Sequence, residues 1–347
     1  MSTLTPRQSR VIGALLGVHS GDSLGATLEF CSHSWILQHY PQGLRDIVGG
    51  GSFDWEAGHA TDDTDMTRAI LLAYRDLHRH QQQQEATAKD ESQPDIVTLA
   101  ADYFLNWFTG DPWPDRVPNT TPRDIGGATH TGLRLYSRSG NPATSGAGQG
   151  NAGNGSLMRC IPTALFEPDP EKRLRDSMRI SAVTHDDVRC TVACAAYNAI
   201  VAELVDGKSA DEAVKAGESV ASSIEASSGT DNNLAEGAEQ VLASIQRGRT
   251  LSIASAAESG PPKDLKGKCG GYVLETLILA VAAVLDERTL EDVLVDVVRI
   301  GKDTDTNGAV AGGLLGARDG LEGIPQRWID MLQFGDEFRG IALELTS

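Results

Sequence analysis

The stretches SRVIGALLGVHSG (residues 9–21) and GAVAGGLLGA (residues 308–317) decide the fold. In the first, Val11, Ile12, Leu15, Leu16 and Val18 recur at spacings of three and four, the period of a helix rather than a strand. Both stretches are rich in small residues: Gly13, Ala14, Gly17 and Gly21 in one, Gly308, Ala309, Ala311, Gly312, Gly313 and Gly316 in the other. A glycine inside a helix costs about 0.5–1 kcal/mol relative to alanine. Clusters of it predict two helices packed with their backbones close together, as neighbours at the centre of the molecule.

The same period recurs at residues 64–78, 97–108, 188–205, 210–224, 234–245, 272–285 and 290–300. Alanine is abundant and alternating β-branched runs are scarce, so the expected fold is all-α. Residues 1–347 are expected to form a single compact multi-helix domain. Residues 79–94 (RHQQQQEATAKDESQP) are polar and of low complexity and predict a disordered surface loop. Residues 140–155 (GNPATSGAGQGNAGNG) predict a long Gly/Asn loop, either disordered or functional.

Composition narrows the partners. The chain has 30 Lys+Arg against 48 Asp+Glu, a net charge of −18. Nucleic acid is excluded as a general partner, because phosphate binding is driven by Lys and Arg; docking on anionic lipid is disfavoured for the same reason. An anionic ligand would need local backbone N–H groups, a helix N-terminus or bound cations. The five cysteines contain no CxxC and are odd in number, which fits small buried hydrophobes in a reducing compartment. Cys190 and Cys194 lie four apart and are expected on one buried helix face. The N-terminal MSTLTPRQSR has no apolar h-region, and no apolar run reaches the ~18 residues of a membrane span. A soluble cytoplasmic monomer with no membrane partner is the expectation.

Two acidic hydroxyl clusters carry the chemistry. Thr61-Asp62-Asp63-Thr64 and Asp303-Thr304-Asp305-Thr306 each open a predicted helix. One N-cap needs one oxygen, and adjacent carboxylates repel unless a cation neutralises them. The donors are all hard oxygens, which selects Mg²⁺, Mn²⁺ or Ca²⁺ over zinc, and no EF-hand pattern is present. If the two central helices are neighbours, the clusters can converge, and four aspartates would then face two divalent cations, a site able to position substrate and activate water. Residues 153–159 (GNGSLMR) offer a second signal, since glycine amides can approach a phosphate closely. GQGNAG (148–153) matches GxGxxG only weakly, with no strand before it. Asp22 either caps a helix or reaches the metal region. Glu29 is either a solvated loop residue or a mobile carboxylate. His185 and Tyr272 each have a structural reading beside a functional one.

GALLGVHSGDSLGATLEF, TDDTDMT, GNGSLMR, VTHDD, GGYVLETL and GKDTDTNGAVAGGLLGA occur in the order seen in ADP-ribosylglycohydrolases. The sequence resembles that family, in particular its dinitrogenase-reductase-activating branch, over about residues 11–317. The resemblance implies one all-α domain with a central binuclear Mg²⁺ or Mn²⁺ site. It implies metal ligands at Thr61, Asp62, Asp63, Asp303, Asp305 and Thr306. An ADP-ribose loop would comprise Gly153, Asn154, Gly155, Ser156 and Met158. His185 would lie near the adenosine or phosphate and Tyr272 beside the adenine. Glu29 would be a flap carboxylate over the metals. The expected reaction is metal-dependent hydrolysis of the C1″ bond of ADP-ribosylated protein side chains, arginine first, releasing ADP-ribose. Glu29, Asp62 and Asp303 are the catalytic candidates. Alternatives are hydrolysis of serine-linked ADP-ribose, poly(ADP-ribose) or small ADP-ribosyl compounds, a non-catalytic ADP-ribose-binding protein, and a metal-dependent phosphohydrolase.

Overall fold

The computed structural model describes residues 4–87 and 93–347. In chain order the helices are α1 (Pro6–Gly25), α2 (His33–His39), α3 (Asp62–Thr87), α4 (Ile96–Thr109), α5 (Gly127–Ser139), α6 (Ile161–Phe166), α7 (Pro170–Ala182) and α8 (Val188–Val205). They continue with α9 (Ala210–Ser227), α10 (Asn232–Gly248), α11 (Ile253–Ser259), α12 (Val273–Leu285), α13 (Leu290–Arg299), α14 (Thr304–Asp319), α15 (Gln326–Ile329) and α16 (Gly335–Leu345). Among the described residues there is no strand, only two isolated antiparallel bridges, Gly50 with Trp55 and Gly153 with Tyr272. The all-α expectation holds.

The two glycine-rich helices are the central pair. α1 and α14 run antiparallel in fixed register, Gly13 against Gly316, Gly17 against Gly312, Gly21 against Gly308 and Gly25 against Thr304. A Cβ on Gly17 would lie 2.1 Å from the Gly312 carbonyl oxygen, and one on Gly21 would lie 2.0 Å from that of Gly308. Only a hydrogen atom fits there. The Thr304 hydroxyl closes the seam by donating to the Gly25 carbonyl at 2.7 Å. Both helices are buried along nearly their whole length, so neither needs a polar face.

Two boundaries differ from the sequence pattern. α3 does not stop at His78 but continues through the four glutamines to Thr87, because Gln, Glu and Ala are good helix formers. Of the predicted loop 79–94, residues 79–87 are therefore helical, and residues 88–92 lie outside the described residues. The 18-residue α8 is long and apolar enough to cross a membrane, yet 72% of it is buried inside the protein, as befits a core helix. Its Cys190 and Cys194 are both fully buried, on the shared inner face that their spacing predicted. All five cysteines are unpaired.

Candidate active site

α3 and α14 both begin at the end of the central seam, and their first turns meet. The cap of α3 comes from outside the helix. Asp22 of α1 accepts the backbone N–H groups of Thr61 (3.1 Å) and Thr64 (3.2 Å) and the Thr64 hydroxyl, all on Oδ2. Asp22 therefore does the capping that the TDDT carboxylates were candidates for, and Asp62 and Asp63 are left for other work. Asp63 Oδ2 faces the Thr61 hydroxyl at 3.3 Å and the Thr306 hydroxyl at 3.4 Å, which joins the two clusters directly. Asp303 stands at the N-cap of α14 but makes no capping bond. It accepts the Asn154 side-chain amide at 2.7 Å instead.

The surplus of negative charge is visible in the bonding and in the titration. Buried oxygens of Asp22, Glu29, Asp63 and Asp305 have no hydrogen-bond partner. Burial, reinforced by the neighbouring carboxylates, pushes Asp62, Asp63 and Asp305 well above the usual range. For the same reasons Glu29 is pushed up to about 9 and Asp124 to about 6. Burial also raises Asp22, to about 6, against the pull of its hydrogen bonds from Thr64 and Thr61. One carboxylate oxygen each from Glu29, Asp124 and Asp305 lie within 4.8 Å of one another, a set that can hold a metal ion. The donors are hard oxygens throughout, which fits a hard divalent cation.

Glu29, Asp62, Asp124, Asp303, Asp305 and Thr306 form the floor of a cavity of about 520 Å³, with Asp22 and Asp63 behind that lining. Its wall is the glycine loop, with Gly153, Asn154, Gly155 and Met158, together with His185. The loop is pinned from behind. Asn154 N–H donates to the Gly271 carbonyl and Val273 N–H to that of Ala152, each at 3.1 Å. The Asn154 side chain spans Thr276 (3.0 Å) and Asp303 (2.7 Å), so one residue ties the loop to the acidic floor.

Not every predicted residue faces the cavity. The Ser156 hydroxyl points away from it and is bonded to Ser181 at 2.9 Å and to the Cys194 thiol, so its backbone is what the loop can offer a ligand. Tyr272 lies behind the loop, bridging Gly153, with its hydroxyl accepting from Arg189 at 3.4 Å. Thr61 borders a second, smaller cavity of about 230 Å³ that shares Asp62 and Asp124 with the first. The GQGNAG match is not a phosphate cradle. The Gly148 and Gly150 amides are already occupied by Asp186 (2.6 Å) and Asp187 (2.7 Å). The third acid of the TDDTD string, Asp65, turns from the cluster and takes the indole N–H groups of Trp107 and Trp113, each at 2.9 Å. Asp124 joins the site without any sequence motif to mark it. It is one of three acids between α4 and α5, and the Gly126-Gly127 pair close after it, which also lines the cavity, is the only local mark that sets it apart.

Comparison with known proteins agrees with this architecture. The ADP-ribosylglycohydrolase family model matches residues 3–347. The chain is 30% identical to the ADP-ribosylarginine hydrolase Tri1 of Pseudomonas putida (strain GB-1), over 99% of this chain and 80% of that protein. It is 27% identical to the ADP-ribosyl-[dinitrogen reductase] glycohydrolase of Rhodospirillum rubrum, over 93% of this chain and 90% of the relative. A solved structure described as an ADP-ribosylglycohydrolase-related protein complex superposes with a TM-score of 0.73 at 27% identity, covering 99% of this chain and 98% of that one. The chain is an enzyme acting on ADP-ribosyl glycosidic bonds, and it belongs to the ADP-ribosylglycohydrolase family.

Proposed function

We propose that this protein hydrolyses the C1″ glycosidic bond between ADP-ribose and a protein side chain, arginine first, and releases ADP-ribose. The observation that carries the proposal is the meeting of the TDDT and DTDT turns, through Asp63 and Thr306, on the floor of a cavity walled by the glycine loop. Two divalent cations, Mg²⁺ or Mn²⁺, fit the unpartnered carboxylate oxygens there, with Thr61, Asp62, Asp63, Asp303, Asp305 and Thr306 as ligands. Bound there, such cations supply Lewis acidity toward the hydroxyls of the distal ribose.

The chain's own groups do the rest. Glycine-loop amides take the diphosphate, which lets a chain of net charge −18 hold an anion. Asn154 fixes the orientation of Asp303. The carboxylates of Glu29, Asp62 and Asp303 face the ribose end of the cavity, where negative charge stabilises an oxocarbenium-like transition state and one of them accepts the proton of the attacking water. Arginine as the linkage is supported by the similarity to the ADP-ribosylarginine hydrolase of Pseudomonas putida. The site is complete within one chain, in keeping with a monomer.

The test is release of ADP-ribose from arginine- and serine-ADP-ribosylated peptides, with and without Mg²⁺. Mg²⁺-dependent release from the arginine peptide is expected, and Asp62→Asn or Asp303→Asn should abolish it while the helical circular dichroism survives. Release from the serine peptide alone moves the linkage. Undiminished turnover in both variants removes the metal assignment.

A further inference from the structure

Behind the glycine loop lies a charged residue that the proposed reaction does not use. Arg159 is completely buried, and its guanidinium pairs with no carboxylate among the described residues. Its Nε has no partner and Nη1 meets only the Met66 sulfur at 3.3 Å. The guanidinium carbon lies 4.2 Å from the Phe104 ring centroid. The one strong bond runs from Nη2 to the Thr184 hydroxyl oxygen at 2.6 Å. Thr184 is itself fully buried, and its hydroxyl oxygen lies 2.8 Å from His185 Nδ1.

The direction of these bonds is forced. A guanidinium only donates, so the Thr184 oxygen must accept from it. The hydroxyl hydrogen then has one acceptor in reach among the described residues, His185 Nδ1. Were Nδ1 the donor, that hydrogen would be buried without a partner, which native interiors avoid. His185 is therefore held as the Nε2–H tautomer. Nε2 faces the gap over the loop, since a Cβ on Gly155 would come within 3.2 Å of it and one on Gly153 within 3.4 Å. His185 lines the cavity there, and Nε2 has no protein partner among the described residues.

We infer that Arg159 is a positioning residue for the nucleotide diphosphate. Through Thr184 it fixes the His185 tautomer so that Nε2–H donates to a phosphate oxygen over Gly153–Gly155. Its own charge, paired with no carboxylate among the described residues, stands one hydroxyl behind that imidazole. Burial, with the nearby Arg159 charge, holds the His185 imidazolium form off to about 3, so the ring stays neutral and the positive charge of the pair resides on Arg159. Donor and charge are thus supplied by different residues, with only the neutral one in contact with the ligand. The identity of the ligand rests on the ADP-ribose reading above, whereas the relay does not.

The two are separated by measuring both on the same protein. Long-range ¹H–¹⁵N correlation on histidine-labelled, ligand-free protein reads the tautomer directly, with His185→Asn supplying the assignment. Titration with ADP-ribose by calorimetry reads affinity. The wild type should show a single Nε2–H tautomer. Arg159→Met should give mixed tautomers and at least tenfold weaker ADP-ribose binding, and Arg159→Lys should recover part of both. Thr184→Val should behave like Arg159→Met and Thr184→Ser like the wild type, a comparison that alters no charge and serves if Arg159→Met fails to fold. An Nδ1–H tautomer in the wild type, or unchanged tautomer and affinity in Thr184→Val, overturns the relay. A correct tautomer in a wild type that binds no ADP-ribose upholds the relay and refutes the ligand.

Discussion

Gly17→Ala tests the seam on which the site is built. The new methyl would sit 2.1 Å from the Gly312 carbonyl oxygen, where ordinary contact begins at 3.4 Å, so it is 1.3 Å too close. The obstacle is backbone on a buried helix and cannot swing aside, so α1 and α14 must part. A gap of about 0.5–1 Å forfeits a quarter to a half of the dispersion energy at each neighbouring contact. Overpacking of this kind costs about 1–3 kcal/mol and occasionally more, and the seam's other close pairs at Gly13, Gly21 and Gly25 share the displacement. The better helix propensity of alanine returns only about 0.5–1 kcal/mol. Set against the overpacking cost, that leaves a net expected loss of about 1–2.5 kcal/mol. Gly340, exposed on α16 with nothing within 4 Å of its Cβ position, is the control, and Gly340→Ala should gain about 0.5–1 kcal/mol. Urea unfolding of the three proteins gives both numbers. Parting the seam also draws Thr306 away from Asp63, so ADP-ribose release should fall with stability in Gly17→Ala alone. A Gly17→Ala protein as stable and as active as the wild type would refute the idea that backbone contact sets this geometry.

Four further outcomes follow from the same structure. Burial with Glu29 and Asp303 holds the Asp305 carboxyl well above its ordinary value, so the stability of its protonated form is lost as pH rises past the unfolded value of 3.8. Without divalent cation at pH 7, Asp305→Asn should therefore melt higher than the wild type and gain less from added Mg²⁺; a lower melting point counts against charge crowding. Burial lowers His19 to about 3, and its Nε2 faces the Phe334 N–H at 3.3 Å. The stability it contributes is full above pH 6.5 and is lost on acidification toward 3, so between pH 6.5 and 5 the wild type should lose about 2 kcal/mol more than His19→Gln in urea titrations. Asn154→Asp removes a donor from Asp303 and adds a carboxylate to the floor, and should cut ADP-ribose release by at least about tenfold. Glu29→Ala should slow turnover more than it weakens ADP-ribose binding, and a change in affinity alone makes Glu29 a binding residue.

Much of this architecture is legible in the residues themselves. The glycines of 13–21 and 308–316 announce close backbone contact because nothing else explains so many in two helices. Pairing those helices fixes where DTDT lies, and TDDT joins it because Asp22 of α1 holds the start of α3 at the same end of the seam. What could not be read depends on contacts distant in the chain. Asp22 reads as either a helix cap or a reach toward the metals, but which helix it caps depends on α1 passing close to Thr61 and Thr64. Asp124 has no periodic context and reaches the cavity through a loop. Ser156 sits in the right motif, yet its rotamer is decided by Ser181 and Cys194 on two other helices. The glutamine run has the composition of a loop, yet its helix propensity carries α3 through it.

The hydroxyl of Thr304 and the carbonyl of Gly25 that close the seam are 279 residues apart in the chain. At a ribosomal pace of about 5–20 residues per second, α1 leaves the exit tunnel roughly 15–60 s before α14 has been made. Throughout that interval the nascent chain carries a bare glycine stripe with no partner and an Asp22 with no finished centre to serve. The last third of synthesis therefore decides whether the first helix ever becomes part of an enzyme, and a stalled or truncated product would leave that stripe free to seek the wrong neighbour.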